Sequence, residues 1–519
     1  MSGRIIGFHC GPPRLIALFT VLSVVLTGCS SKSTLPEGST STAVMTTTGI
    51  GLETADAESA QQTTAIAFPK DFGHYTGDWD QISKRGMLRV LVLYSKSGFF
   101  YDRGRPRGVN AEAMEELEKE INKKLKTGAN KFKVVLMPTT PGRMQKALDE
   151  GLGDLLCTAV IVTPERGKLV DFTIPVKTDV KLVVVTNKNS PSISGINELS
   201  GKDVYVIPST VAKIELERLN QEFKKSSKPE IRVKEVDPNL TEEDLLEMTN
   251  AGLIPATVAV DFRAELWSNV YSDIVINSNA VLRKGVDVAW AMRKGSPQLK
   301  NILDEFITAH MTGTAFGNTV IRRYFGNGKY LKNSTSAAEM KKFESYVKYF
   351  QQYGDEYNFD YVMLAAQGYQ ESMLQQDHVS PRGAVGIMQV LPRYAAAKPI
   401  SIPDVRTAQN NIHAGTKMLS VIAATYFNDP GIDQKNKTLF TFAAYNAGPS
   451  RIVRLRKQAQ EQGLDPNKWF GNVELVASKD IGAETVQYVS NVFKYYVAYN
   501  LALEQKKIRE EGRKASLGN

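Results

Sequence analysis

The chain has 519 residues, 42% of them hydrophobic and 23% charged, with a formal net charge of +9 and a pI near 9.1. That length predicts two or three domains, and the surplus of base suits a polyanionic partner. Five scattered histidines and three cysteines provide no metal-ligand spacing, so a zinc site is not expected and no cofactor is implied. An export segment at the N-terminus and the lack of any recognition motif exclude nucleic acid as the partner.

Arg4 and Arg14 precede an apolar run from Leu15 to Leu26, shorter than the ~20 residues a spanning helix needs. It ends in Leu26-Thr27-Gly28-Cys29, which resembles the lipobox of bacterial lipoproteins. The resemblance implies cleavage after residue 28 and lipidation of Cys29. With Ser30 rather than Asp next, it implies an outer-membrane anchor facing the periplasm. Cys10 falls in the signal, so Cys157 is left alone in the folded part. It has no partner for an internal disulfide, and it reads as a small buried hydrophobe in an apolar run. Residues 29–78 are rich in Ser, Thr, Ala and Gly. They cannot bury enough apolar surface to offset ordering entropy, which predicts a flexible tether.

From residue 79 to about 316, apolar runs such as Leu88–Leu93, Lys131–Leu136, Lys181–Val185, Asp203–Ile207 and Ala256–Val260 alternate with helical stretches such as Ala111–Leu125 and Arg143–Glu150. This alternation predicts an α/β domain with a mostly parallel sheet. Three segments carry a resemblance: Gly86–Val90; Gly153-Asp154 with Thr163-Pro164-Glu165-Arg166 and Asp171–Pro175; and Ala291–Pro297. The region resembles periplasmic solute-binding proteins that capture amino acids. That resemblance implies two lobes, with chain crossings near 185–190 and 280, and a ligand in the cleft between them. It further implies that Arg166 clamps a ligand carboxylate, that Thr210 lines the cleft and that Asp261 takes the ligand ammonium. A salt bridge remains an alternative role for Arg166, and a structural role for Asp261. Ala159 and Ile161 stand where that family often has serines, which disfavours a free amino acid and leaves room for a peptide.

Residues 317–338 read as a linker. From 339 to 508 the apolar spacing is helical, with Phe343, Tyr346, Val347 and Phe350 on one face, and residues 509–519 read as a charged tail. Within the helical domain come Glu371-Ser372, then Ser380-Pro381-Arg382-Gly383-Ala384-Val385-Gly386-Ile387-Met388-Gln389, then Ala443–Pro449, then Glu484–Val489. The set resembles the soluble-lytic-transglycosylase family, lysozyme-like enzymes that cut peptidoglycan glycan strands, and Asn411–Gly415 fits the same resemblance. An α/β two-lobed domain followed by a mainly α lysozyme-like domain is therefore expected.

Cleaving a glycosidic bond requires a carboxylic acid that is still protonated near neutrality, and apolar surroundings raise a carboxyl pKa. Glu371 has Met373, Leu374, Ile387 and Met388 available for this. No second acid stands close except Asp377, to which the family gives no role. The resemblance thus implies one residue acting as acid and then base, closing an anhydro ring on the muramyl sugar. Gly383 and Gly386 let backbone approach the sugar. Ser380, Gln389, Tyr445 and Asn446 are expected to bind substrate, as are Glu484 and Tyr488, which lie one helical turn apart. A peptide or amino acid in the solute cleft is expected to modulate cutting. Two other readings stay open: a hydrolase on the related lysozyme-like fold, and a wall-attached solute receptor whose C-terminal domain holds glycan without cutting it.

Overall fold

The computed structural model describes residues 73–517 except 103–104, 129–130, 312, 326–335 and 481–482. The expected signal, Cys29, most of the tether and much of the linker lie outside these residues.

The folded part begins earlier than residue 79. The Tyr75 N–H donates to the Gly151 carbonyl (3.1 Å). The Asp78 carboxylate caps the helix Trp79–Arg85 and also accepts from the Gln298 and Leu299 N–H groups, both at 2.8 Å. One short polar side chain thus satisfies orphan donors at two helix starts. Polar composition alone does not show this, because the gain comes from partners some 220 residues away in sequence.

A nine-stranded mixed sheet runs through both lobes in the order β4-β1-β5-β11-β7-β10-β8-β9, with β6 on β11. The first lobe holds β1 (Met87–Leu93), β4 (Lys133–Thr139), β5 (Leu155–Ile161) and β6 (Val170–Phe172). The second holds β8 (Asp203–Val206), β9 (Arg232–Glu235) and β10 (Ala256–Val260). Two long strands, β7 (Lys177–Asn187) and β11 (Ile274–Arg293), belong to both. β10 takes β7 from Leu182 onward, while β5 takes β11 from Val288 onward. The crossings therefore lie at about 177–182 and 283–288, displaced from the expected 185–190 and 280. The strands run on through both crossings while their pairing partner changes, with only a local irregularity at Asp179 (φ 52°) and at Gly285 (φ 67°). A hairpin of β2 (Phe100–Asp102) and β3 (Arg105–Arg107) projects from the first lobe.

Cys157 is fully buried in β5 and burial pushes its thiol pKa up, which fits a packing role. Asp154 and Arg89 are buried charges of this lobe and pair with each other. Burial alone would raise the Asp154 pKa, but Arg89 and Arg85 outweigh that and hold it below the ordinary carboxylate value.

The segment expected as linker from 317 starts as a helix, Ala315–Phe325. It buries Val320, Tyr324 and Phe325 against the second lobe beside Trp267 and Tyr271. Its amphipathic pattern is too short to distinguish from linker without the surface that receives it.

The second domain is helical. The helix Tyr361–Ser372 is capped by Asp360 and is buried from Val362 to Tyr369. It runs against Ala337–Tyr357 and the long C-terminal helix Ala483–Leu517. Gly368 permits the approach of Ile387, since an added Cβ would lie 3.0 Å from the Ile387 Cγ2. The helix stops where Met373 and Leu374 both take positive φ, 55° and 56°. The expected charged tail from 509 continues the C-terminal helix instead. Lys, Arg and Glu are good helix formers, so charge by itself does not end a helix.

The two domains meet through the helix Glu242–Asn250, whose N-terminal half is acidic. Asp244 accepts an ion pair from Lys494 of the C-terminal helix (3.2 Å). Leu245 and Met248 share an apolar cluster with Ala498 and Ala502.

Candidate active site

Glu371 stands in the last turn of its helix, half-buried. The Tyr488 hydroxyl of the C-terminal helix donates to its Oε1 at 2.6 Å. The Gln367 amide, fully buried one turn before Glu371, donates to the Tyr488 oxygen at 3.2 Å. That donation leaves the single Tyr488 proton pointing at the carboxylate. Burial pushes the Tyr488 pKa well above its ordinary value and the Glu371 charge adds to the rise; the same two causes act on Tyr445. Both phenols are therefore fixed as donors.

The glycine-rich turn forms the facing wall. Ser380 closes it, its Oγ accepting from the Ala384 N–H (3.0 Å). Gly383 and Gly386 take φ of 79° and 77°. At Gly386 a Cβ would lie 2.6 Å from the amide nitrogens of Asn411 and Gln376, so no larger residue fits. Asn411 is fully buried; it accepts from the Met388 N–H (2.8 Å) and donates to the Val385 carbonyl (2.8 Å). The Met388 carbonyl receives the Tyr445 hydroxyl at 2.7 Å.

The structure thus brings together Glu371, Tyr488, Tyr445 and the turn that begins at Ser380. Gln389 ends that turn at φ 47° with its amide folded back onto the Gly386 and His378 carbonyls (2.9 and 3.2 Å). Asn446 is exposed and accepts from the Thr485 hydroxyl (2.8 Å), which ties its loop to the C-terminal helix. Glu484 is exposed, one turn before buried Tyr488, and so stands at the margin rather than among the buried groups. Sequence reasoning missed Gln367. The available signal was an amide inside an apolar run, four residues before the acid and so on the same helix face.

The cleft between the lobes encloses a cavity of about 630 Å³. Arg166 and Thr210 line it. The Arg166 guanidinium donates to the Ile161 carbonyl (3.1 Å), and the Thr210 hydroxyl donates to the Ile207 carbonyl (2.8 Å) while capping the helix Val211–Lys225. Asp261 is not brought to the cavity wall; its carboxylate accepts from the Phe262 N–H (2.8 Å) at a helix start. The acids on the wall are Glu242, Glu243 and Glu265. Glu243 reaches across to the first lobe and accepts from the Lys96 N–H (2.7 Å), the Ser97 N–H (3.3 Å) and the Ser97 hydroxyl. Glu242 pairs with Arg263 at 3.2 Å. Among the described residues no group of three or more His, Cys, Asp or Glu is placed to hold a metal.

Comparison with known proteins agrees with this division. The family described as bacterial extracellular solute-binding proteins, family 3, matches residues 88–327, and the transglycosylase SLT domain matches residues 348–468. The second match includes Glu371 and the glycine turn but ends before Tyr488. A membrane-bound lytic murein transglycosylase F of Stutzerimonas stutzeri is 28% identical over 80% of this chain and 85% of its own length. One of Pseudomonas putida is 27% identical over the same shares. Among solved structures, an amino acid transporter substrate-binding protein of Streptococcus pneumoniae bound to L-arginine covers 48% of this chain and 98% of its own, with 20% identity and a TM-score of 0.39. The chain thus carries a match to a family 3 solute-binding domain followed by a match to a transglycosylase SLT domain, and over 80% of its length it is similar to proteins named membrane-bound lytic murein transglycosylase F.

Proposed function

We propose that the chain cleaves peptidoglycan glycan strands as a lytic transglycosylase with Glu371 as its acid and base. The observation that carries this reading is the carboxylate held by Tyr488 on one oxygen, beside the Met388 wall that Tyr445 props. Glu371 protonates the oxygen linking N-acetylmuramic acid to N-acetylglucosamine, and the acetamido group of the substrate assists at the anomeric carbon. The resulting carboxylate then takes the proton of the muramyl C6 hydroxyl, which closes the 1,6-anhydro ring. One group serves both steps, in keeping with microscopic reversibility. With Tyr488 donating to Oε1, the transferable proton belongs on Oε2. Ser380, Gln389, Asn446 and Glu484 line the path of the strand. The anhydro end makes the reaction a lyase step and not hydrolysis. Anchoring by lipid on Cys29 at the outer membrane completes this reading, supported by the lipobox-like sequence and by relatives named as membrane-bound.

The solute cleft supports ligand-dependent control. Arg166 suits the carboxylate of a peptide or amino acid, and Glu242 or Glu243, in place of Asp261, suits an amine. A ligand shifts the lobes only by binding one arrangement better than the other. A ligand that raises the melting temperature yet leaves turnover unchanged would end the regulatory part of the proposal. The activity is tested by mass spectrometry of fragments released from purified sacculi. Anhydromuramyl ends are expected, and reducing ends would mean a hydrolase. No fragments at all would favour a glycan-holding receptor.

A further inference from the structure

A second cavity of about 720 Å³ lies between the β2–β3 hairpin of the solute-binding domain and the C-terminal helix of the transglycosylase domain. Its size falls within the ~300–1,000 Å³ usual for ligand sites. Gln370 and Gln487 line it, and they are the residues immediately before Glu371 and Tyr488. The cavity therefore borders the two helices that build the acid. The hairpin is fastened at the same place, the Tyr101 N–H donating to the Gln487 Oε1. Two acceptors on the wall, Glu247 Oε1 and Gln370 Oε1, are buried and receive no hydrogen bond among the described residues. Glu247 is only 9% exposed, so its unmet oxygen is a desolvated acceptor that favours a donor. Arg107, at the end of β3, lines the cavity and forms no ion pair among the described residues. The rings of Tyr101 and Tyr495 supply apolar wall between these polar groups.

We infer that this cavity receives the peptide stem carried by the muramyl residue beside the cleaved bond, so that the solute-binding domain forms one wall of the substrate site. The inference rests on the transglycosylase reading above. A stem offers carboxylates for the planar Arg107 guanidinium, and N–H and amine groups for Glu247 and Gln370. A glycan stripped of its stems keeps only the lactyl carboxylate close to each muramyl ring and offers no amine, so it cannot reach Arg107 and Glu247 as a stem can.

The test uses the full chain in detergent with two substrates: glycan strands that carry stems, and the same strands after an amidase has removed them. The readout is the ratio of kcat/KM for release of anhydromuramyl ends. The ratio is expected to exceed one by about tenfold, the scale of one charge-assisted hydrogen bond, and to fall toward one in Arg107→Gln. Stems with amidated carboxylates test the same contact without a variant, and the preference for them is expected to fall by a similar factor. A ratio near one in the native chain, or a preference that both Arg107→Gln and amidation leave intact, would overturn the inference alone. Absence of anhydromuramyl ends from both substrates would overturn the activity itself, and the inference with it.

Discussion

Around Glu371 the decisive contacts join segments far apart in the chain, yet each segment carries its own local signature. Between the lobes only part of the wall was legible: Arg166 and Thr210 line it as expected, while the acids on it are residues whose local sequence says little. Tyr488, Tyr445 and Asn411 each end on an atom of Glu371 or of the glycine turn. In the solute cleft, by contrast, the longest reach is made by Glu243, one of several acids in an ordinary acidic helix start. The difference teaches that a site built for bond cleavage constrains residue type at fixed positions. A cleft built for recognition constrains shape, and many acids could supply the same charge.

The comparison can be broken or sharpened from the catalytic side first. Glu371→Gln keeps the shape and removes the proton, so release of anhydromuramyl ends is expected to fall by about 10²–10⁴-fold, read by mass spectrometry of the digests. At the junction of the two regions, Lys494→Met leaves Asp244 buried without its ion-pair partner. That change is expected to cost about 3–5 kcal/mol of stability, measured by urea unfolding. Within the catalytic site, Tyr488→Phe removes a hydrogen bond to a charged group. The expected loss is about 10–100-fold in kcat with little change in KM; a rise in KM with kcat unchanged would mean that Tyr488 binds substrate rather than holding the acid.

A further prediction concerns pH. Burial pushes the Glu474 carboxyl up from 4.5 to about 7, against the opposing pull of the Gly471 N–H and Arg143. The folded chain keeps this proton between those values while the unfolded chain releases it. Stability is therefore highest below pH 4.5 as far as this group is concerned, falls as pH rises to 7, and is level above that. The change is about 3 kcal/mol. Glu474→Gln should flatten this dependence in melting curves taken across that range, and an unchanged slope would assign it to another group.

The sequence by itself determined the two-domain order, the fold class of each domain, Glu371 as the candidate acid, and the aromatic and amide residues gathered near it. The α/β and helical patterns follow from hydrophobic period, whereas Glu371 and the residues expected near it follow from the resemblance of their motifs to a known family. The tertiary structure alone decided where each domain ends. Asp78, Val320 and Tyr324 become parts of the first domain only through surfaces far away in sequence. It also decided that Asp261 serves a helix start while Glu242 and Glu243 face the solute cavity, since helix and strand patterns fix which face is buried but not what lies opposite. Gln367 is the clearest case. An amide in a buried helix is legible as an oddity, but only the packing of the C-terminal helix puts the Tyr488 oxygen within its reach. Hydrogen bonds between distant segments depend on positions of a few tenths of an ångström, and those are set by how whole helices pack rather than by local sequence.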